Sequence, residues 1–280
     1  MDTVADILRL AAGTLADSSE SPELDAEVLL STVMGVARSA LIVRADEPVG
    51  VELRRAYQGL IDRRMDGVPV AYLTGRREFW SLPLKVTPAV LVPRHETELL
   101  VEMALKVIPK AEARSVLDLG TGSGAIALAI ASERPLARVT GADVSPAALG
   151  VARDNARALT LPNLAWRLGS WFDAVPGERF DAIVANPPYI AAGDPALAAL
   201  EAEPELALVS GPAGLDALAA IIEGAAPHLE SGGWLVLEHG STQHGDVASM
   251  LERSGFRGVE THEDFSGRPR VTLGIFQSPH

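Results

Sequence analysis

The tetrapeptide Asn186-Pro187-Pro188-Tyr189 follows directly on the apolar run 181–185 and carries more chemistry than any other four residues of the chain. β-Branched Ile183 and Val184, stopped by two consecutive prolines, predict a buried strand ending in a rigid turn. An Asn at the carboxyl end of such a strand stands where open α/β sheets bind ligands. Its side-chain carbonyl accepts a hydrogen bond from an NH2 group. Pro187 has no N–H but keeps a carbonyl, a second acceptor held at a nearly fixed angle. Tyr189 adds a flat face for a planar group. Together the four residues are expected to receive a planar, NH2-bearing group such as a carboxamide or an adenine. The plainer reading is a tight turn closing a strand, and a glycine-rich loop elsewhere in the chain weighs against it.

That loop, Asp118-Leu119-Gly120-Thr121-Gly122-Ser123-Gly124, joins a predicted strand to a helix from about Ala125. Its glycines allow a sharp turn and let a ligand approach the backbone amides at a helix N-terminus. Gly120-x-Gly122-x-x-Ala125 also fits a dinucleotide fingerprint. Asp143, ending the next strand, suits a ribose diol in either case. Three features favour S-adenosylmethionine over NAD. Asp118 lies two residues before the first glycine, where a carboxylate suits an ammonium and sulfonium end. The C-terminal hairpin is unusual for a dinucleotide fold, and the acceptor tetrapeptide follows the fourth strand. Trp171 is expected to flank the adenine or the methionine portion, its alternative being a core tryptophan. Nothing matches a P-loop.

The elements that must position these groups are legible as an alternation. Strands are expected at 115–119, 138–142, 164–168, 181–185 and 233–238, with helices near 97–108, from 125, after Pro146 and over 215–229. That order implies a doubly wound, largely parallel sheet. A helix near 247–254 precedes two runs, 258–261 and 270–275, expected as an antiparallel hairpin at one sheet edge. Upstream, residues 1–75 read as short amphipathic helices: Val4, Ile7, Leu8, Ala11 and Leu15 recur at helical spacing. Ser21-Pro22-Glu23 predicts a capped helix to about Met34, and Leu53, Tyr57, Leu60 and Ile61 another ending near Gly67. Residues 76–93, punctuated by Pro83, Pro88 and Pro93, read as a hairpin connector, leaving 94–280 as the cofactor-binding domain.

Composition bounds the function. At 280 residues the chain holds one large α/β domain plus a small one. A mean hydropathy of +0.17 is a globular value. The absence of cysteine excludes disulfides and thiolate metal sites. With no long apolar run and with Asp2 and Asp6 near the start, no membrane partner is expected and a cytoplasmic location is. The net charge of −13 argues against direct nucleic-acid binding. His239 and His244 lack metal spacing, so no metal is expected. Arg54, Arg55, Arg63 and Arg64 read as a solvated face paired with Asp62 and Asp66, the alternative being a basic face that meets a partner. Glu201, Glu203 and Glu205 lie in a long segment, 190–212, that suits either a substrate-covering loop or a solvated one.

With these residues in view, the loop 118–124, Asp143 and Asn186–Tyr189 resemble class I S-adenosylmethionine-dependent methyltransferases acting on planar nitrogens. Four further segments, 73–80, 93–98, 169–172 and Leu237-Glu238-His239-Gly240, are similar to the peptide chain release factor glutamine methyltransferases, the HemK or PrmC family. The resemblance spans nearly the whole chain. It departs at His95-Glu96, where Pro-Asp is more usual, while Arg94, Thr97 and Glu98 are retained. It implies a Rossmann-like seven-stranded sheet and a substrate-recognising N-terminal helical domain. It also implies a monomer, S-adenosylhomocysteine as product, and N5-methylation of the Gly-Gly-Gln glutamine of release factors. The resemblance assigns Asn186, Pro187 and Tyr189 to catalysis and Asn186–Tyr189 to the substrate. It assigns Asp118, Gly120, Thr121, Gly122, Ser123, Gly124, Asp143, Trp171 and Asn186 to the cofactor. Asn186 Oδ1 and the Pro187 carbonyl would orient the amide nitrogen, with Tyr189 packed on its plane and no dedicated base. Ribosomal-protein glutamine methylation, adenine-N6 DNA methylation and a cofactor-sensing scaffold are the competing readings.

Overall fold

The computed structural model describes residues 2–277, which divide into two compact units, Met1–Arg76 and Arg77–His280. The first is all helical: α1 (Val4–Leu15), α2 (Pro22–Met34), α3 (Ala40–Val43), α4 (Val51–Met65) and α5 (Val70–Thr74). Its core is the i, i+3, i+4 stripe of α1, Val4, Ile7, Ala11 and Leu15, against Ala26, Leu29 and Leu30 of α2 and Tyr57 and Ile61 of α4. The Tyr57 hydroxyl donates to the Ala26 carbonyl at 3.0 Å, tying α4 to α2. Thr3 caps α1 reciprocally with Asp6, whose carboxyl is held below its usual range by those hydrogen bonds.

Two local expectations are corrected here. Ser21 occupies the cap position of α2 but its hydroxyl makes no capping bond. Ser19 takes over, accepting from the Ser21 amide at 3.1 Å and donating to Asp25 at 2.7 Å. The α4 arginines pair with residues other than Asp62 and Asp66: Arg54 with Asp2, Arg55 with Glu52, and Arg64 with Asp25 at 2.8 Å in a largely buried pair.

The second unit opens with a hairpin, β1 (Arg76–Phe79) and β2 (Leu82–Lys85), turned by Trp80 and Ser81 at φ of 52° and 59°. The hairpin is built into the core rather than suspended between domains, since Phe79 and Leu84 are fully buried in the main apolar cluster. Then follow α6 (Thr97–Val107), β3 (Ser115–Leu119), α7 (Ala125–Glu133), β4 (Arg138–Asp143), α8 (Pro146–Ala158), β5 (Leu164–Leu168) and β6 (Phe180–Ala185). The chain ends with α9 (Asp216–Ala225), β7 (Leu229–Glu238), α10 (His244–Arg253), β8 (Phe256–Glu263) and β9 (Pro269–Phe276).

Seven strands form one sheet in the order β5-β4-β3-β6-β7-β9-β8, parallel through β7 with β9 and β8 antiparallel at the edge. Alternate residues serve opposite faces: Val116, Ala182, Val184 and Val236 meet the α6 and α7 side, while Leu117, Leu119, Ile183, Leu235 and Leu237 meet α9 and α10. Because β3 leads away to β4 and β5 before the chain returns to β6, the strand order reverses between β3 and β6. A crevice at such a reversal is where open sheets take ligands. Helix 215–229 is shorter than its pattern suggests. Pro227 stops it, and β7 starts at Leu229 with a register shift before Trp234. Among the described residues no helix is long and apolar enough to cross a membrane.

Candidate active site

Leu119 pairs with Ala185 across β3 and β6, so the glycine loop and the Asn-Pro-Pro-Tyr turn leave the sheet side by side. Between them lies a cavity of about 460 Å³, lined among others by Gly120, Gly122, Asp143, Trp171, Asn186 and Pro188. That volume falls within the range of small-molecule sites. Ala89, Val90 and Leu91 form one further wall, and Pro204, Leu206, Ala207, Val209 and Ser210 another.

The loop is held from behind. Asp118 is fully buried: its Oδ2 accepts from the Thr121 hydroxyl at 2.6 Å and from the Ala127 amide at 3.2 Å. Asp118 is absent from the cavity lining, so direct contact with a ligand's cationic end gives way to shaping the loop. Its Oδ1 has no partner among the described residues, and burial pushes the carboxyl up to about 7. Thr121 and Ser123 are likewise buried, and the Ser123 carbonyl accepts from Asn155 Nδ2 at 2.9 Å. The same Asn155 bonds both the amide and the carbonyl of Lys85, at 2.7 and 3.0 Å, anchoring β2 to the loop. Gly124 starts α7 at φ 84°, where a side chain would be strained and would meet Leu128 and Trp166 at 3.1 Å.

Asp143 does line the cavity. Its Oδ2 accepts from the Gly122 amide at 2.9 Å and its Oδ1 from the Ser145 amide at 2.8 Å. A carboxylate has about four lone-pair sites, so hydroxyls of a diol can still be received. Trp171 stands across the cavity at φ 45°, a left-handed conformation rare for a bulky residue. A Cβ added at Gly120 would come within 3.6 Å of the Trp171 ring, and one at Gly122 would meet nothing closer than 4.0 Å. Side-chain-free glycines facing an aromatic, with an acidic residue beside them, fit an adenosine-bearing cofactor.

At the other wall the Asn186 side chain is oriented. Its Nδ2 donates to the Thr97 hydroxyl at 3.1 Å, and no donor among the described residues reaches Oδ1 or the Pro187 carbonyl. Pro187 is buried, and neither it nor Tyr189 is part of the cavity lining. Both polar groups of Tyr189 are engaged. The hydroxyl donates to Glu238 Oε1 at 3.3 Å and the carbonyl accepts from Gln243 Nε2 at 3.0 Å. Burial raises the Tyr189 hydroxyl above its ordinary range, and burial also pushes Glu238 up to about 7.

The acidic segment 190–212 resolves into unlike parts. Glu201 and Glu205 are exposed, but Glu203 is buried. It accepts from the Val92 amide at 2.9 Å and pairs with Arg94. This anchor explains why the segment forms a cavity wall, and nothing in the residue spacing distinguishes Glu203 from its neighbours. Thr97 and Glu238 are also missed as site residues by spacing alone, although both lie in segments carrying the family resemblance. His239 bonds its Nε2 to the Thr272 hydroxyl at 2.8 Å and its Nδ1 faces the Gly240 carbonyl at 2.9 Å.

Comparison with known proteins accounts for this arrangement. Residues 6–75 match the PrmC N-terminal domain family and residues 95–203 the methyltransferase small domain family. The release factor glutamine methyltransferase of Xylella fastidiosa (strain Temecula1) is 49% identical over 263 residues, covering 93% of this chain and 96% of that protein. That of Escherichia coli (strain K12) is 45% identical over 261 residues, covering 92% and 94%. In fold, the Thermus thermophilus 16S rRNA N2 G1207 methyltransferase, solved with AdoMet and guanosine, matches with a TM-score of 0.56 at 23% identity. It covers 72% of this chain and 50% of that one. The glycine loop, the acidic strand end and the Asn-Pro-Pro-Tyr turn are thus those of an S-adenosylmethionine-dependent enzyme, and the chain belongs to the release factor glutamine methyltransferase family.

Proposed function

We propose that this enzyme methylates the side-chain nitrogen, N5, of the glutamine in the Gly-Gly-Gln loop of bacterial class 1 release factors. The observation carrying the reading is the orientation of Asn186: with its NH2 committed to Thr97, its carbonyl oxygen is the free end at the cavity. An acceptor there suits a primary amide, which presents two hydrogens and no other feature to grip. Family membership at 49% identity over nearly the full chain supports the release factor as substrate.

S-adenosylmethionine, when bound, supplies an electrophilic methyl group carried on a sulfonium. An amide nitrogen is a poor nucleophile because its lone pair is delocalised into the carbonyl. Asn186 Oδ1 and the Pro187 carbonyl accept its two hydrogens and fix its direction, a positioning effect that can supply up to about 7–11 kcal/mol. As positive charge develops on nitrogen, the same acceptors hold it more strongly than they hold the neutral amide. Gly120, Gly122, Asp143, Trp171 and Asn186 contact the cofactor. Asp118, Thr121, Ser123 and Gly124 shape the loop behind it. Tyr189 braces the turn through Glu238 and Gln243.

Residues 1–75 recognise the protein substrate: they hold a helical core of their own, and none of the residues lining the cofactor cavity comes from them. A cytoplasmic location follows from the substrate. Mass spectrometry of release factor incubated with enzyme and isotopically labelled cofactor tests the function. A single labelled methyl on the Gly-Gly-Gln glutamine is expected. Label on a ribosomal protein or on DNA adenine in its place overturns it.

A further inference from the structure

Glutamates are seldom buried unless paired, while alanine and leucine are the residues a segment normally turns inward. Residues 191–207 invert that pattern. Their two short helical turns, Pro195–Leu200 and Glu205–Ala207, bury none of their residues, and Leu206 is 66% exposed. Glu203 is the one buried residue of the stretch. The segment has no apolar foothold before Leu208, and a carboxylate holds it to the rest of the fold.

Where that carboxylate stands matters to the cavity. Val92, whose amide donates to Glu203 Oε2 at 2.9 Å, directly follows Leu91 of one cavity wall. Glu203 directly precedes Pro204 of the other. Arg94 Nη2 donates to Oε1 and supplies the counter-charge from a side chain about one-third exposed. A single carboxyl group thus closes the seam between two walls whose contacting residues lie 111 positions apart in the chain. At its far end the second wall is fastened through the backbone. The Ile190 amide donates to the Leu208 carbonyl and the Ser210 amide to the Ile190 carbonyl, both at 2.9 Å.

A buried ion pair adds little net stability, because desolvation offsets most of the attraction, but it fixes geometry and leaves a costly orphan when one partner is removed. We propose that Glu203, gripped by Arg94 and the Val92 amide, is a positioning residue that clasps the two walls together over S-adenosylmethionine and sets how long the cofactor stays bound. With the clasp gone, the stretch 204–207 has no buried residue to keep it at the cavity, so the cofactor escapes faster. Asn186 and Pro187 stand directly after β6 and keep their places for methyl transfer. The inference rests on the reading of the cavity as the cofactor site and adds to it the group that closes it.

The test compares Glu203→Ala, Arg94→Ala and the double variant with the intact enzyme. Affinity for S-adenosylhomocysteine, its dissociation rate, kcat at saturating cofactor and thermal stability are measured for each. We expect each single variant to weaken cofactor binding about 10-fold, mostly through faster dissociation. KM for S-adenosylmethionine should rise in step, while kcat at saturating cofactor falls by no more than about 2-fold. Because both residues act through one contact, the double variant should bind no more weakly than the worse single one. Unchanged dissociation in either single variant, additive losses in the double, or a fall in melting temperature with affinity intact overturns the clasp. Should Glu203→Ala not fold, Glu203→Gln, which keeps the length and removes the charge, overturns it equally if cofactor dissociation is unchanged. An intact enzyme that binds no S-adenosylhomocysteine is a different result, sinking the cofactor site itself and the clasp with it.

Discussion

Leu119 and Ala185 face each other across adjacent parallel strands, so Gly120 and Asn186, the residues that follow them, emerge together at the point where the strand order reverses. One residue belongs to the wall fitted for the cofactor and the other carries the acceptor for the amide. A single register therefore fixes the distance between the two halves of the reaction, and predictions can be made for each half separately.

Asp143 holds two backbone amides of the cofactor wall, those of Gly122 and Ser145. Asp143→Ala should weaken S-adenosylhomocysteine binding about 10-fold or more, as expected for loss of charge-assisted hydrogen bonds. Calorimetry measures this. NADH binding as tight as that of S-adenosylhomocysteine would contradict the cofactor assignment.

Gly214 is pressed against the acceptor turn: at φ 72°, an added Cβ would lie 2.2 Å from the Tyr189 carbonyl oxygen and 2.8 Å from Gln243 Nε2. Gly214→Ala is expected to destabilise the fold by more than about 1 kcal/mol and to lower methylation with it. That corresponds to roughly 2–4 °C in a thermal melt. An unchanged melting temperature and full activity would mean the turn is free to shift.

Burial raises Glu238 from an ordinary value near 4.5 to about 7, with Tyr189, Thr97, Arg270 and Glu96 around it. Between those two values the folded state binds more protons than the unfolded chain, so this group lowers stability progressively as pH rises through that window. Glu238→Gln removes the titration. Its melting temperature relative to the parent should therefore rise from pH ~5 to pH ~8. Asp118, also pushed up to about 7, titrates in both proteins and cancels from the difference. A difference independent of pH would show that Glu238 does not carry the buried charge.

Much of this arrangement was open to reading in the sequence, and the misses have physical causes. The strands 115–119 and 164–168 are apolar or alternating runs closed by glycine or polar residues, and both appear at those bounds. The helix over 215–229 overshoots because alanine-rich sequence continues to Pro227 without a break in its apolar pattern. The Pro-Arg segment is legible as a motif but not as a mechanism, since each of its residues acts on a distant element. Arg94 pairs with Glu203, Thr97 receives Asn186, and Glu98 accepts from the Trp80 amide at 2.9 Å in the hairpin turn. Partners 18 to 109 positions away leave no trace in local spacing. Tyr189 is legible as a flat face by its type, and only the positions of Glu238 and Gln243 reveal that its hydroxyl and carbonyl also brace the turn.

The division of labour between the two units is tested by a truncated chain beginning at Arg77, the start of the second unit. It should retain affinity for S-adenosylhomocysteine while losing most activity on intact release factor. Undiminished turnover would refute substrate recognition by the helices.

The central claim, that Asn186 orients the amide, is tested most directly by single-turnover methylation of release factor by Asn186→Ala and Asn186→Asp. Alanine leaves one amide hydrogen without a partner in a site shielded from water, a loss of about 1–3 kcal/mol before misorientation is added. We predict that the methyl-transfer rate falls roughly 100-fold or more while S-adenosylhomocysteine affinity changes far less. Aspartate keeps an acceptor oxygen of similar size and should lose less than alanine. Near-parental methylation of the release factor glutamine by Asn186→Ala would contradict the account, leaving the Asn-Pro-Pro-Tyr segment as a turn and nothing more.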